Sequence, residues 1–367
     1  MSSGMKKVRV LVVDDSAVMR RLIPQILESD PSIEVVGTAM DGNFGLRKIE
    51  ELSPHVITLD LEMPHRSGID TLKEIMRRWR LPVIVVSSYS RAGAYITLKA
   101  LTLGAFDFVS KPDDAFASMH KVSSELIHKI QAAAQSGPVR PLQLRKEVRG
   151  KTARKQNPAA PSHIIAIGVS TGGPNALQYL FSHLPADFSG SILVVQHMPE
   201  GFTEMFAHRL DETCPIRVKQ AQSGDLLVAG RALICPGNRH MKVSRQRLGN
   251  VAVLSDEPPS NGHRPSVDVL FHSVATEFGD RSLAVLMTGM GEDGAAGMGE
   301  IRRAGGMTVA QSESSCVVFG MPKAAIERGY AMQVVDLQDM PNLLLAQCKP
   351  HGSLGPDRSK AVGSGSN

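Results

Sequence analysis

The stretch "IGVSTGGPNA", residues 167–176, sets Ser170 inside a G-x-S-x-G pattern between an apolar run and a helix-like segment. Glycines tolerate backbone angles that a side chain would block. A turn of this kind can push a serine hydroxyl out at the end of a strand. It can equally cradle a phosphate or be an ordinary tight turn. A serine becomes a nucleophile only when a base takes its proton and a third group orients the base. His197 follows "ILVVQ" and Asp293 lies in "LMTGMGEDGAAG", each just past a strand-like run. Together the three residue types suit acyl transfer through an acyl-enzyme. Their order, Ser…His…Asp, differs from the Ser…Asp…His order of α/β-hydrolases, which points to a separate occurrence of the same triad. A competing reading is nucleotide binding, because Gly289, Gly291 and Gly294 spell G-x-G-x-x-G after a strand. Against it, Glu292 and Asp293 would face a pyrophosphate, and the next strand ends near Gln311 rather than at an acid for a ribose hydroxyl.

The N-terminal third carries a second constellation. Asp14 and Asp15 close one apolar run, Asp60 closes another, and Lys111 closes a third. At the carboxyl end of a parallel sheet these groups share one crevice. Carboxylates gathered there repel one another unless a cation joins them, and oxygen ligands of this kind suit Mg²⁺. With a lysine opposite, the chemistry is phosphoryl transfer to a carboxylate.

The elements that must position these residues follow from periodicity. "VRVLVV", "IEVVGTA", "VITLDL", "PVIVVSS" and "DFVSKP" read as five strands, separated by segments with apolar residues three and four apart. Such alternation predicts a doubly wound parallel α/β sheet over residues 5–126. Residues 127–161 are rich in Ala, Pro, Gln and basic side chains and read as a linker. Its basic run, Arg140 to Lys155, is solvated or meets an acidic partner. Alternation resumes over 162–350, with strands at "HIIAIGVS", "SILVVQH", "RALICPG", "VAVLSD", "SLAVLMTG" and "MTVAQS". Within it, "GRALICPGNRHMKVSRQRLGNVAVLS" predicts a small antiparallel addition to a Rossmann-like sheet. Residues 351–367 are poor in apolar side chains and read as a disordered tail.

The 367 residues fit two domains, and 42% hydrophobic with 21% charged residues is an ordinary globular balance. No run is long enough to span a membrane and none reads as a signal peptide, so the expected location is the cytoplasm. Four cysteines without C-x-x-C or metal-like spacing are expected to be free thiols. A DNA-binding output would need a compact helical reader with a basic recognition helix, which the strand-rich C-terminal half does not resemble. A non-catalytic phosphorylation sink or scaffold keeping the same fold stays open at this point. His208, His240, His263 and His272 read as surface or hydrogen-bonded core residues.

Two resemblances gather these readings. "VLVVDDSAVMRR", "TLDLEMPHRSGID", "VVSS" and "DFVSKP" resemble the response-regulator receiver domain. This resemblance implies Asp60 as phosphoacceptor, Asp14, Asp15 and the Glu62 carbonyl as Mg²⁺ ligands, Ser87 as switch hydroxyl, Lys111 at the phosphoryl group and a cis Lys111–Pro112 bond. "MPHRSG" departs from the more usual MP-x-MDG after the phosphoacceptor. "AIGVSTGGPNAL", "VVQHMPEGFT", "HRPSVDVLFHSVA", "LMTGMGEDGAAGM" and "SCVVFGMPKAA" resemble the chemotaxis protein-glutamate methylesterase family. That family implies hydrolysis of glutamyl methyl esters on methylated chemoreceptors and deamidation of certain receptor glutamines. It implies Ser170 as nucleophile, His197 as base, Asp293 as its orienter, the Met290 amide in the oxyanion hole and Thr171 supporting the histidine. It further implies a monomer with no cofactor in the esterase half, a chemotaxis histidine kinase as phosphodonor, no nucleic acid and no membrane insertion. Glu292 stands where the family often has Asn.

Overall fold

The computed structural model describes residues 7–64, 66–88, 90–111, 119–137, 160–247 and 249–348. The N-terminal unit alternates strand and helix: β1 Val8–Val13, α1 Met19–Leu27, β2 Ile33–Ala39, α2 Gly42–Leu52, β3 Val56–Asp60, α3 Gly68–Arg78, β4 Val83–Ser87, α4 Arg91–Thr102, β5 Asp107–Ser110 and α5 Met119–Ser136. The five strands are parallel in the order β2-β1-β3-β4-β5. β3 and β4 are buried along their whole length, as strands covered by helices on both faces must be. The sequence boundary at 126 is corrected here: α5 runs on to Ser136, because "QAAAQ" is built of helix formers and its Ala133 is buried against the sheet. Most of the expected linker, the Lys111–Pro112 bond and the tail lie outside the described residues.

The C-terminal unit comprises β6 Ile164–Val169, α6 Gly173–Ser182, β7 Ser191–Gln196, α7 Phe202–Thr213, β8 Arg217–Gln220, β9 Arg231–Ile234, β10 His240–Gln246, β11 Gly249–Ser255, α8 Val267–Phe278, β12 Ser282–Leu286, α9 Ala295–Arg303, β13 Met307–Gln311, α10 Met321–Glu327, β14 Gln333–Val335 and α11 Met340–Gln347. Seven parallel strands order as β14-β13-β12-β6-β7-β9-β8. The antiparallel addition is the hairpin β10–β11, with Leu226 bridged antiparallel to Val251 of β11. "RALI", expected within that addition, instead pairs in parallel with β7 and β8. β8 and β14 carried no clear sequence signal. They are edge strands, and neither β8 nor the three-residue β14 presents a run of buried apolar side chains.

The two units pack together. Phe108 of β5 stacks on Phe202 at the start of α7, with centroids 4.9 Å apart and planes 15° from parallel. Arg209 of α7 donates to the Thr102 hydroxyl of α4 at 2.6 Å. Val318, between β13 and α10, packs against the N-terminal core that includes Leu126 and Ile130 of α5. The seam is therefore apolar at its centre with a polar bond beside it. The four cysteines are free, and burial raises the thiol of Cys316 to about 12 and that of Cys348 to about 11. No described helix is long and apolar enough to cross a membrane.

Candidate active site

In each sheet the connection reverses direction beside the first strand, and that switch point is where a crevice opens at the carboxyl ends. In the C-terminal sheet it falls at β6, flanked by β12 on one side and β7 on the other. Ser170 follows β6, His197 follows β7, and Asp293 follows β12. Strand order thus gathers three residues spread over more than a hundred positions of chain.

The serine turn is built by close approach. Gly172 has φ 76° and lies against Val317, where a Cβ would clash. A Cβ on Gly289 would come 2.8 Å from Ser170 Cβ, so the β12 loop can reach the serine only with glycine there. Ser170 donates its amide to the Thr288 carbonyl at 3.0 Å. The Gln196 amide donates to both the Ser170 and His197 carbonyls, at 3.0 and 3.1 Å, tying the two turns together. The Ser170 side chain is only part-buried.

His197 Nε2 lies 2.9 Å from Asp293 Oδ2. Its Nδ1 is buried with no hydrogen-bond partner. Asp293, 1% exposed, sits at the N-terminus of α8. It accepts from the Ser266 hydroxyl at 2.7 Å, the Val267 amide at 2.7 Å and the Asp268 amide at 3.2 Å. Burial pushes this carboxyl up, but His197, the Val267 amide and the Ser266 hydroxyl outweigh it and hold the group at about 2. The unpaired amides and dipole of a helix N-terminus favour an anion in the same way. Asp293 is thus a fixed charge on one ring nitrogen, leaving the other nitrogen free.

The remaining expected residues divide. Met290 is exposed, and among the described residues its amide has no hydrogen-bond partner. Thr171 is buried and its carbonyl accepts from Thr288 at 2.9 Å, but among the described residues no hydrogen bond joins its hydroxyl to His197. Glu292 is exposed and pairs with Arg328. Gly291 and Gly294, with φ 83° and 93°, serve the turn between β12 and α9. His208 and His272 are exposed partners of Glu212 and Glu300, and His240 is a buried, hydrogen-bonded residue. His263 differs from the expectation for these histidines: its ring stacks on that of His197. Ser266 and Gln196 also went unrecognised in the sequence, because serine and glutamine are common polar residues with no spacing signature.

In the N-terminal sheet the switch point lies between β1 and β3. Carboxylate oxygens of Asp14, Asp15 and Asp60 lie within 4.8 Å of one another. Lys111 Nζ contacts Asp60 at 2.7 Å and Asp14 at 3.3 Å. Asp14 Oδ2 is buried with no hydrogen-bond partner, and the Asp14 carboxyl is raised by burial and by Asp60 beyond what Lys111 offsets. Three clustered carboxylates, with Lys111 as the cation beside Asp14 and Asp60, fit a divalent cation such as Mg²⁺. Ser87 is buried and turned toward α4, where it accepts from Thr97 at 2.6 Å and donates to the Gly93 carbonyl at 3.3 Å.

Known proteins share both halves. The CheB methylesterase family profile matches residues 165–344 and the response regulator receiver domain profile matches residues 10–122. A protein-glutamate methylesterase/protein-glutamine glutaminase 2 of Koribacter versatilis is 60% identical over 93% of this chain and 96% of its own length. A protein-glutamate methylesterase/protein-glutamine glutaminase of Symbiobacterium thermophilum is 45% identical over 91% of this chain and 95% of its own. The crystal structure of the Thermotoga maritima CheB methylesterase catalytic domain superposes with a TM-score of 0.50 at 38% identity, covering 51% of this chain and 99% of that one.

Proposed function

The chain belongs to the protein-glutamate methylesterase/protein-glutamine glutaminase family, and we propose that it hydrolyses glutamyl methyl esters of chemoreceptors, and deamidates receptor glutamines, by acyl transfer at Ser170. The observation that carries this reading is His197, with Nε2 on a buried anionic Asp293 and Nδ1 buried and unpartnered. In this tautomer Nε2–H donates to Asp293 and Nδ1 keeps the lone pair. The roles of the two ring nitrogens are then exchanged relative to the trypsin-like arrangement, in which Nδ1–H meets the aspartate.

Ser170 Oγ attacks the side-chain ester carbonyl while His197 Nδ1 takes its proton. The Met290 amide donates to the oxyanion. His197 returns the proton to the departing methanol, and water then repeats the attack on the acyl-enzyme. With glutamine as substrate the same steps release ammonia.

The N-terminal unit supplies control. Phosphoryl transfer to Asp60 would use Mg²⁺ held by Asp14, Asp15, Asp60 and the Glu62 carbonyl, with the metal neutralising charge on the transferred group. Lys111 pairs with the phosphoryl oxygens, and Ser87 turns from Thr97 toward them. This shifts α4 and β5, the face that carries Thr102 and Phe108 at the seam with α7. The contacts of Phe108 with Phe202 and of Thr102 with Arg209 support a resting receiver packed against α7 of the esterase unit. A chemotaxis histidine kinase is the phosphodonor in this reading, and the chain acts as a cytoplasmic monomer. The unit boundary falls between Ser136 and Ala160.

The test is methanol release from methylated receptors by the intact chain and by Ser170→Ala, each with and without a small phosphodonor and Mg²⁺. Release is expected only from the intact chain, and faster with phosphodonor. Near-normal release from Ser170→Ala would overturn the assignment.

A further inference from the structure

His197 is held by one hydrogen bond at Nε2. A ring pinned at one atom can still tilt, and a tilt displaces Nδ1, the nitrogen that the acyl-transfer reading assigns as the base. The His263 ring closes off that freedom: it lies 4.1 Å from the His197 ring, centroid to centroid, with planes 5° apart. We propose that His263 is a positioning residue, a parallel plate that confines the His197 ring to the plane in which Nε2 meets Asp293 and the buried, unpartnered Nδ1 is held in one place. This rests on the acyl-transfer reading above.

The plate is itself anchored. Ser260 and His263 exchange both backbone hydrogen bonds, at 3.0 and 2.9 Å, across Asn261 and Gly262. Both central residues have positive φ, 51° and 77°, the geometry for which Asn-Gly is the preferred pair. The Asn261 side-chain amide donates to Asp268 at 2.7 Å and reaches Asp293 Oδ1 at 3.5 Å. One tight turn therefore fixes the stacking ring and touches the carboxylate that the stacked ring's partner uses. Burial, and the neighbouring His197, lower the His263 imidazole, while Asp293 and Glu125 oppose that shift. A neutral ring stacks without repelling the imidazolium that forms on His197 during turnover. A Cβ on Gly262 would meet nothing within 4 Å, so its positive φ is the reason for glycine there.

The experiment compares His263→Ala, His263→Phe and Ser170→Ala in the full chain, with phosphodonor and Mg²⁺ throughout. It measures methanol release from methylated receptor and labelling by a small serine-directed phosphonylating probe, which makes no receptor contact. His263→Ala is expected to lower kcat roughly 3- to 10-fold, the range for a lost aromatic pair, with KM nearly unchanged. Probe labelling should slow by a similar factor. His263→Phe restores a flat ring without ring nitrogens and should recover most of both losses. Equal losses in Ala and Phe, or an Ala variant with unaltered kcat and labelling, would overturn the proposal. A fall in receptor turnover with normal probe labelling would also overturn it, since it would mean a receptor contact. Ser170→Ala separates the two hypotheses: if it stays active and is labelled, the triad reading fails, whatever His263 does.

Discussion

Asp14 and Asp293 are each 1% exposed at the switch point of a parallel sheet, and each faces a cationic or ionisable partner. Their surroundings push them in opposite directions. Asp14 has another carboxylate beside it and one buried oxygen without a hydrogen bond, and its carboxyl is raised. Asp293 has a helix N-terminus, a hydroxyl and His197, and its carboxyl is held at about 2. The first site holds three carboxylates against one lysine, which suits the cation and phosphoryl group proposed for it. The second is satisfied at rest, which suits the anionic orienting role proposed for Asp293. Burial alone decides neither; the number of donors aimed at the carboxylate does.

The contrast breaks most severely at Asp293. Asp293→Asn offers Nε2 an amide in place of an anion, and kcat should fall by about 10⁴, the loss seen when this role is removed from other triads. Methanol release at saturating receptor would read it. The stability side has a definite sign. A carboxyl lowered from 3.8 to about 2 contributes roughly 2 kcal/mol above its unfolded value, and this is lost as pH falls through about 2. Denaturant midpoints of the intact chain and of Asp293→Asn should therefore differ at pH 7 and converge toward the acid end.

In the proposed control, the seam couples the two sites. Phe108→Ala removes the ring stacked on Phe202 and should raise unphosphorylated esterase activity by about tenfold, on the assumption that activity follows the open fraction. The response to phosphodonor should shrink in proportion. Arg209→Ala, which loses the bond to Thr102, should do the same by about twofold. A basal rate unmoved by Phe108→Ala would show that the stacked pair does not restrain the esterase.

Asp14→Asn is the mirror of the Asp293 variant. The raised carboxyl means that ionised Asp14 costs stability, a cost relieved as pH falls through its raised folded value. Removing the charge should therefore raise the receiver's melting temperature by a few degrees at pH 7 while abolishing the extra rise on adding Mg²⁺. Melting followed with and without Mg²⁺ checks both. The smallest effect belongs to Glu292→Gln. That carboxylate is exposed and pairs with Arg328, so kcat should stay within about twofold of the intact chain. A larger loss there than at Asp293 would reverse the two assignments.

Residue order carried much of this protein. The apolar runs "VRVLVV" and "IEVVGTA" coincide with β1 and β2 residue for residue. The strand-end positions of Asp60, Ser170 and His197 were legible because a two-sided parallel strand must be continuously apolar and must stop where a polar residue begins. Edge strands β8 and β14, α5 beyond residue 126 and the parallel pairing of "RALI" were not, since weak local patterns are decided by what packs against them. Tertiary structure alone set the order β12-β6-β7 that makes neighbours of Asp293, Ser170 and His197. It alone chose which nitrogen of His197 meets Asp293, turned Ser87 toward Thr97, laid His263 on His197 and seated Phe108 against Phe202. Periodicity along a chain reports which side of an element is buried, whereas strand neighbours and ring orientations arise from contacts between residues far apart in sequence, which no local pattern encodes.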